Sequence, residues 1–221
     1  MEQKLNKYFK TWSPQTECIV VGSSPSLTWY EFGNYIDKFD TVVRINKCFN
    51  EDYYPNTGKK LDIWATTDNT RWGLFNPVDS LTKEVWTRNH YVIDDLNNNG
   101  TFDVFNERKF TGSVVNIESG RDSLRFPYPG LGTGLIALNE AIRRYNRITI
   151  IGHTFYLEGE NEALNFYSTE EDKEHKNNRL TYYNGDLHRI TQIKYVLNWI
   201  NEGKIILLNP YEYDNLKNRI K

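Results

Sequence analysis

The stretch Cys18-Ile-Val-Val-Gly-Ser-Ser-Pro-Ser-Leu27 is an apolar run that ends abruptly in a small, polar, turn-forming cluster. Such a run predicts a buried strand that feeds a turn, and the segment after it has a helical pattern. Gly22 permits a close backbone approach, and the serine hydroxyls and following amides offer hydrogen bonds to an anion. The turn has neither the further glycines of a dinucleotide-binding turn nor the Gly-Lys-Ser/Thr of a P-loop. An ordinary strand-to-helix turn is the alternative interpretation.

Short β-branched runs alternate with segments of helical period along the rest of the chain. The predicted strands are Cys18–Val21, Thr41–Ile45, 61–65, 91–93, 114–117, Ile148–Ile151 and 204–208. Two amphipathic helices have apolar residues at three- and four-residue intervals, namely Leu135, Leu138, Ile142 and Tyr145 in one and Ile190, Ile193, Leu197 and Ile200, followed by Gly203, in the other. This alternation predicts an α/β fold with a mostly parallel sheet, in which ligands bind at the carboxyl ends of the strands.

Length and composition indicate one soluble domain spanning residues 1–221. The net charge is −2, from 27 basic and 29 acidic residues, so no basic field for nucleic acid is present. Cys18 and Cys48 have no spacing typical of a disulfide framework or a zinc site, which favours a reducing compartment. No stretch has the apolar length of a signal peptide core or a membrane span. We therefore expect a cytoplasmic protein.

Residues 157–187 differ in kind from the rest, because they are polar and poorly periodic. Loops of this length inside a compact domain are usually functional lids or disordered insertions. The sequence favours a lid and a plain solvated insertion about equally.

Two further polar clusters fall where strands are predicted to end. Gly130-Leu-Gly-Thr-Gly134 precedes the first amphipathic helix, whose free amides and positive dipole end suit a phosphate or carboxylate. Close packing of the helix start explains such glycines equally well. Asn46 ends the strand Thr41–Ile45, where an asparagine reads a base or ribose edge or caps a turn. No Asp-x-Asp occurs, and no metal site is indicated.

Four histidines are candidate general bases, and His188 is the strongest. Asp186 is a plausible N-cap for the following helix, which places His188 in the first turn. The helix dipole there disfavours the imidazolium and keeps a neutral ring able to accept a proton. His153, at a strand end, is the second candidate, whereas His90 and His175 have the character of boundary and surface residues.

Taken together, these clusters resemble the motifs of the sialyltransferases. The Cys18–Leu27 stretch, Ile36-Asp-Lys-Phe-Asp-Thr-Val-Val-Arg-Ile-Asn46 and Gly58-Lys-Lys-Leu-Asp62 are similar to the large sialyl motif of the animal-type enzymes. The span from Gly130 to Gly152 is similar to their small motif, and Tyr182-Tyr-Asn184 with His188 to their last two. Bacterial lipooligosaccharide sialyltransferases share a related pattern, which Pro25-Ser-Leu27, Arg44, Thr133-Gly134 and Phe155-Tyr156 match here.

The resemblance implies a GT-A-like, Rossmann-like domain of the sialyltransferase variant, with a lid loop. It implies an inverting, metal-independent glycosyltransferase that needs no cofactor and uses His188 as the general base. The donor is a CMP-activated sugar, normally CMP-sialic acid, and the acceptor a glycan or glycolipid, the latter bringing peripheral membrane association. The implied substrate-binding residues are Gly22, Ser23, Ser24, Ser26, Asn46, Thr67, Gly132, Thr133, Gly134, Tyr156, Tyr182 and Tyr183.

Three departures from the animal-type pattern concern the donor and the acceptor more than the fold. The small-motif cysteine is absent, so Cys18 is expected to form no disulfide. The animal-type enzymes have a glutamate five residues after the late histidine, where this chain has Ile193. They also have a histidine directly before the tyrosine pair, where this chain has Thr181. A 2-keto sugar acid other than sialic acid, such as Kdo, stays open as the donor sugar. The other functional interpretations are a pyrophosphokinase-like enzyme of related fold and a non-catalytic nucleotide- or glycan-binding module.

Overall fold

The computed structural model describes residues 17–46, 51–66, 81–87, 112–117, 132–153, 185–209 and 212, with the backbone alone for 185–189. In chain order its elements are β1 (Cys18–Val21), a 3₁₀ helix (Pro25–Trp29), α1 (Gly33–Ile36), β2 (Thr41–Ile45), a second 3₁₀ helix (Glu51–Tyr53), α2 (Tyr54–Thr57), β3 (Ile63–Thr66), β4 (Glu84–Thr87), β5 (Ser113–Asn116), α3 (Thr133–Tyr145), β6 (Ile148–Ile151), α4 (Gly185–Asn201) and β7 (Ile205–Leu207).

The described strands form one seven-stranded sheet in the order β5-β4-β3-β2-β1-β6-β7. Every pairing between them is parallel, from Glu84↔Ser113 at one edge to Ile148↔Ile205 at the other. The predicted α/β fold with a parallel sheet is therefore confirmed. Because β2 to β5 extend from β1 on one side and β6 and β7 on the other, the strand order reverses between β1 and β6. Such a reversal opens a crevice at the carboxyl ends of the two strands.

The core lies between the sheet and its helices, as the apolar pattern predicts. Leu135 and Leu138 of α3 are fully buried, and this helix packs across β1, β2, β3 and β6. The buried stripe of α4 is centred on Ile193, Val196 and Trp199, whereas the predicted Leu197 and Ile200 lie half-buried at its margin. Gly203 ends this segment with φ +70° and donates its amide to Ile200 O at 3.0 Å.

Several strand predictions differ from the structure: β5 runs over Ser113–Asn116 rather than 114–117, and β7 over Ile205–Leu207 rather than 204–208. β3 runs from Ile63 to Thr66 rather than over 61–65, and β4 at Glu84–Thr87 was not predicted at all. β4 presents only two apolar residues, Val85 and Trp86, and so short a run carries almost no periodic signal. The predicted strand 91–93 lies outside the described residues. No helix among the described residues has the length and apolar character to cross a membrane.

Candidate functional site

The carboxyl ends of β1 and β6 continue into two turns that are hydrogen-bonded to each other. The amide of Gly22 donates to Ile151 O at 2.8 Å, and the amide of Ser24 donates to Gly152 O at 3.0 Å. These bonds use backbone donors that the sequence assigned to an anion. The close backbone approach predicted at Gly22 is therefore present, and its partner is the β6 turn.

The geometry of this contact explains why glycines occupy both turns. A Cβ atom on Gly22 would lie 2.1 Å from Gly152 O, which is far inside contact distance for a backbone atom. Gly152 has φ +73°, and its Cβ would lie 2.6 Å from Leu27 Cδ1. One glycine is required by space and the other by space and conformation.

His153 follows Gly152 and is buried between the two polar clusters. Its ring approaches Gly22 on one side, where Cδ2 is 3.1 Å from the Cβ position, and Gly134 on the other, at 4.0 Å. Desolvation lowers the pKa of His153 to about 4, while a hydrogen bond with the Val20 backbone acts in the opposite direction. The ring is therefore neutral at pH 7, and so low a pKa makes His153 a weak candidate for a general base.

The start of α3 lies against this histidine. Gly132 is the N-cap, has extended dihedrals and provides no side-chain cap, and its carbonyl accepts the amides of Leu135 and Ile136. Thr133 is 5% exposed, and Gly134 faces Ile45 and the His153 ring. The predicted residues Gly132, Thr133 and Gly134 are thus brought to the crevice beside the β1 turn, and the positive end of the helix dipole lies there with them.

Asn46 follows β2, and Thr66 is the last residue of β3, so both lie at the carboxyl ends of the next two strands. The unusual φ of Asn46, +53°, is held by two bonds of its backbone: its amide donates to Ala65 O and its carbonyl accepts Trp64 Nε1, both at 2.8 Å. Asn46 Oδ1 and Thr66 Oγ1 are both buried, and neither makes a hydrogen bond with any of the described residues. A buried polar atom left in this way costs roughly 1–3 kcal/mol, so a ligand with matching donors would recover that cost.

Sequence reasoning missed Thr66 and named Thr67, which lies outside the described residues. The available signal was the first hydroxyl after the apolar run Ile63-Trp-Ala65, together with the register that aligns Ile45 with Ala65. Continued by one residue, this register sets Thr66 beside Asn46.

The serines of the β1 turn form a network that leads inward rather than to solvent. Ser24 Oγ accepts the Ser26 amide at 3.3 Å as the N-cap of the 3₁₀ helix, and the two hydroxyls are 3.0 Å apart. Ser26 is fully buried and donates its hydroxyl to Glu212 Oε1 at 2.7 Å. Glu212 carried no recognisable sequence signal. Ser23 lies in the same turn, and its contact with a ligand stays a prediction.

The helix that carries His188 reaches the same region. Gln192 Oε1 of α4 lies 3.1 Å from the Cβ position of Gly132, and His188 comes one helical turn before Gln192. The helix begins at Gly185, so Asp186 is its second residue and the prediction of an N-cap at Asp186 is wrong. His188 remains in the first turn. Tyr156, Tyr182, Tyr183 and most of the predicted lid 157–187 lie outside the described residues.

Two other predictions concern cysteine and metal chemistry. Cys18 is buried in β1, and Cys48 lies outside the described residues. Desolvation, with a smaller contribution from the charge of Asp62, raises the pKa of Cys18 to about 12. Within the part of the chain that the structure describes, no group of three or more His, Cys, Asp or Glu side chains is arranged to hold a metal ion.

Comparison with known proteins bears directly on this site. The sequence model of glycosyltransferase family 29 (sialyltransferase) matches residues 2–92, which include the β1 turn, Asn46 and Thr66. A comparison with curated protein sequences finds no significant match.

Solved structures of sialyltransferases have the same fold. A mammalian sialyltransferase in complex with Gal-beta-1-3GalNAc-ortho-nitrophenol matches with a TM-score of 0.59 and 14% identity, over 86% of this chain and 68% of that chain. The sialyltransferase CstII from Campylobacter jejuni in complex with cytidine-5'-monophosphate matches with a TM-score of 0.51 and 16% identity, over 90% of this chain and 82% of that chain.

The family match covers the amino-terminal part of the chain, and the fold match covers most of its length. The resemblance to the sialyltransferases is thereby confirmed: residues 2–92 match the sequence model of their family, and the chain has the fold of their solved structures.

Proposed function

We propose that this protein is a metal-independent, inverting glycosyltransferase that transfers sialic acid, or a related 2-keto sugar acid, from a CMP-sugar to a glycan hydroxyl. The observation that carries the proposal is the meeting of the α3 amino terminus, the β1 turn and the end of β2 at the reversal in strand order. Similar folds bind the matching ligands: CstII was solved with CMP, and also with CMP and a trisaccharide acceptor.

The buried polar atoms at this edge suit a nucleotide sugar rather than a bare anion. Asn46 Oδ1 and Thr66 Oγ1 are hydrogen-bond acceptors, and Thr66 also has a hydrogen to donate. Ribose and sugar hydroxyls supply both donors and acceptors. Thr133 and Gly134, at the amino terminus of α3, would bind cytidine or the donor carboxylate through the helix dipole and the first amides.

The reaction needs a base, a leaving-group contact and protection from water. His188 would take the proton of the acceptor hydroxyl while the acceptor oxygen bonds to the anomeric carbon. The bond from that carbon to the phosphate oxygen breaks, and CMP leaves with the electron pair. Tyr156 and one of Tyr182 or Tyr183 would donate to the phosphate, in bonds that strengthen as charge develops and so replace a metal. Gly22, Ser23 and the β1 turn would hold the phosphate and ribose.

The segment 157–187 is proposed to act as a lid over the bound donor. Its closure would exclude the water that otherwise hydrolyses the CMP-sugar. Limited proteolysis with and without CMP tests this role, since CMP should slow cleavage of the segment; equal rates in both conditions would contradict it. We propose a cytoplasmic location for the reaction, in keeping with the buried Cys18 thiol.

Incubation of the protein with a panel of CMP-sugars in EDTA tests the donor and the metal independence together. Release of CMP from one sugar acid is the expected result, and CMP alone should raise the Tm. Stabilisation only by ATP with a divalent metal would favour a pyrophosphokinase-like enzyme, and CMP binding without release or transfer would favour a binding module.

The general base is tested by His188→Ala, with His90→Ala as the matched control. We expect His188→Ala to lower kcat by about 10²–10⁴-fold while CMP still binds, because the proton acceptor is lost and the nucleotide contacts stay. His90→Ala should leave both quantities near those of the unmodified protein. Transfer at full rate by His188→Ala would move the base to another residue.

A further inference from the structure

Glu212 is the buried carboxylate that joins the two turns of the site. Its side chain is fully buried, and Oε1 accepts the Ser26 hydroxyl at 2.7 Å and the Gly152 amide at 2.8 Å. Oε2 accepts the His153 amide in a longer contact of 3.5 Å. One side chain from the end of the described chain thus bonds both to the β1 turn, 186 residues away, and to the β6 turn, 60 residues away.

The carboxylate also sets the direction of the hydrogen bonds in the β1 turn. A hydroxyl has one hydrogen, and Ser26 gives its hydrogen to Glu212, which in the ionised state only accepts. The bond of 3.0 Å between Ser24 Oγ and Ser26 Oγ must therefore be donated by Ser24. The hydrogens of both serines point along a chain that ends on Glu212, and their hydroxyls can accept from a ligand but not donate to it.

This arrangement holds the β1 turn at a defined distance from the β6 turn. Backbone hydrogen bonds from Gly22 to Ile151 and from Ser24 to Gly152 join the two turns directly. The Glu212 side chain joins them a second time, through Ser26 and Gly152. Hydrogen bonds to an ionised acceptor are stronger than neutral ones, and they strengthen further away from water. Glu212 is itself anchored, because its amide donates to Asn209 O at 3.1 Å just after β7.

We propose that Glu212 is a positioning residue for the nucleotide: it holds the β1 turn in the form that binds CMP, without touching the donor sugar or the acceptor. The proposal rests on the CMP-sugar function proposed above. It assigns to Glu212 a part in donor affinity and none in proton transfer, so substitutions there should change KM for the donor and leave kcat nearly unchanged.

The test uses three substitutions and one matched control. Glu212→Ala removes all three acceptor contacts, whereas Glu212→Gln keeps one oxygen that can accept both short bonds. Ser26→Ala removes the side-chain partner in the β1 turn. Asp62→Asn is the control, because Asp62 is a buried carboxylate that bonds the Val42 amide at the opposite edge of the sheet. For each protein, the CMP Kd is measured by calorimetry, the Tm by thermal unfolding, and KM and kcat by CMP release.

We expect Glu212→Ala to raise the CMP Kd and the donor KM by about tenfold or more, with kcat changed less than about threefold. Glu212→Gln should stay within about threefold of the unmodified Kd, and Ser26→Ala should fall between the two. Asp62→Asn should lower the Tm with a Kd within about twofold of the unmodified value.

The outcomes separate this proposal from the function on which it rests. Should the unmodified protein bind neither CMP nor any CMP-sugar, both are overturned. If it binds CMP, but folded Glu212→Ala or, should that variant not fold, Ser26→Ala binds equally well, only the positioning role of Glu212 is wrong. Equal loss of affinity in Asp62→Asn would mean that general destabilisation is the cause, and that result also overturns the proposal.

Discussion

Polar groups at the amino ends of the strands differ in their hydrogen bonding from polar groups at the carboxyl ends. Near the amino end of β3, Asp62 accepts the Val42 amide at 2.9 Å and pairs with Lys83 at 2.9 Å and Lys60 at 3.4 Å. At the carboxyl end of the same strand, Thr66 Oγ1 is buried and has no hydrogen-bond partner in the described part of the chain, and the same is true of Asn46 Oδ1 beside it. Satisfied polar groups contribute to stability, whereas unsatisfied ones are kept at a cost that a ligand can repay. We therefore call the amino ends of the strands, around Asp62, the structural edge, and the carboxyl ends, around Asn46 and Thr66, the candidate functional edge.

Among the substitutions considered, we expect Gly22→Ala to have the largest effect, because it disrupts the contact between the β1 turn and the β6 turn. The new Cβ would meet Gly152 O at 2.1 Å, and neither backbone can move without breaking the bonds that join the turns. We expect a loss of at least about 3 kcal/mol in the free energy of unfolding, measured by urea denaturation.

Gly203→Ala is the control for this change. Nothing lies within 4 Å of its Cβ position, and the cost is the strain of φ +70° alone, about 1 kcal/mol. A smaller loss in Gly22→Ala than in Gly203→Ala would show that the two turns separate easily.

The structural edge is broken by Arg44→Met. The Arg44 guanidinium is fully buried, donates to Lys60 O and Thr57 O at 2.8 Å each and lies 3.9 Å from the carboxylate of Asp37. Its loss leaves these acceptors buried, so we expect about 3 kcal/mol of destabilisation. The CMP Kd of the folded fraction should not change. Arg143→Met, which removes an exposed pair with Glu140, should cost under about 1 kcal/mol, and a similar cost for both would contradict this account.

The burial of His153 at the candidate functional edge predicts a pH dependence of stability. Its pKa is lowered to about 4, below the ordinary value of 6.5, so the unfolded chain binds the proton first as the pH falls. The contribution of His153 is therefore present above pH 6.5 and is lost as the pH falls toward 4, by about 2 kcal/mol between pH 7 and pH 5. Urea unfolding at both pH values should show this loss, and His153→Gln should remove it. Equal losses in both proteins would show that His153 is not the group responsible.

The smallest effect on stability is expected from Thr66→Val, compared with Thr57→Val. Thr57 Oγ1 donates to Tyr53 O at 3.0 Å, so its loss should cost about 1 kcal/mol. Thr66→Val removes a hydroxyl for which the described residues provide no hydrogen-bond partner, and it should leave stability unchanged or slightly higher. Its CMP-sugar KM should instead rise several-fold, while Thr57→Val keeps the unmodified KM. If Thr66→Val lost more stability than Thr57→Val, and Thr57→Val raised KM more than Thr66→Val, the assignment of Thr57 to a structural role and of Thr66 to donor binding would be wrong.

Much of the fold follows from local pattern in the sequence. The strands Cys18–Val21, Thr41–Ile45 and Ile148–Ile151 and the register of α3 were predictable, because each is a continuous apolar run or an apolar stripe of helical period. β4 was not, because its burial comes from the strands on both sides rather than from its own composition.

The site was predictable to the extent that it lies at strand ends and helix starts. The positions of Asn46, Thr133 and Gly134 beside the crevice were predictable because a polar or glycine residue after an apolar run lies at the carboxyl ends of the strands of a parallel sheet. Thr66 was missed because strand boundaries are uncertain by one or two residues in sequence reasoning. Glu212 was missed because it comes four residues after the predicted strand 204–208, and local pattern does not show that its side chain is buried.

The sequence by itself therefore determined the fold class and placed the candidate site at the carboxyl ends of the strands, since both depend on the order and period of apolar residues. The tertiary structure alone decided what each polar group at that edge does. Gly22 makes room for the β6 turn, His153 is buried and neutral, and two serines donate toward Glu212. The reason is physical: hydrogen-bond partners and desolvation depend on distances between residues far apart in the chain, which local pattern does not contain.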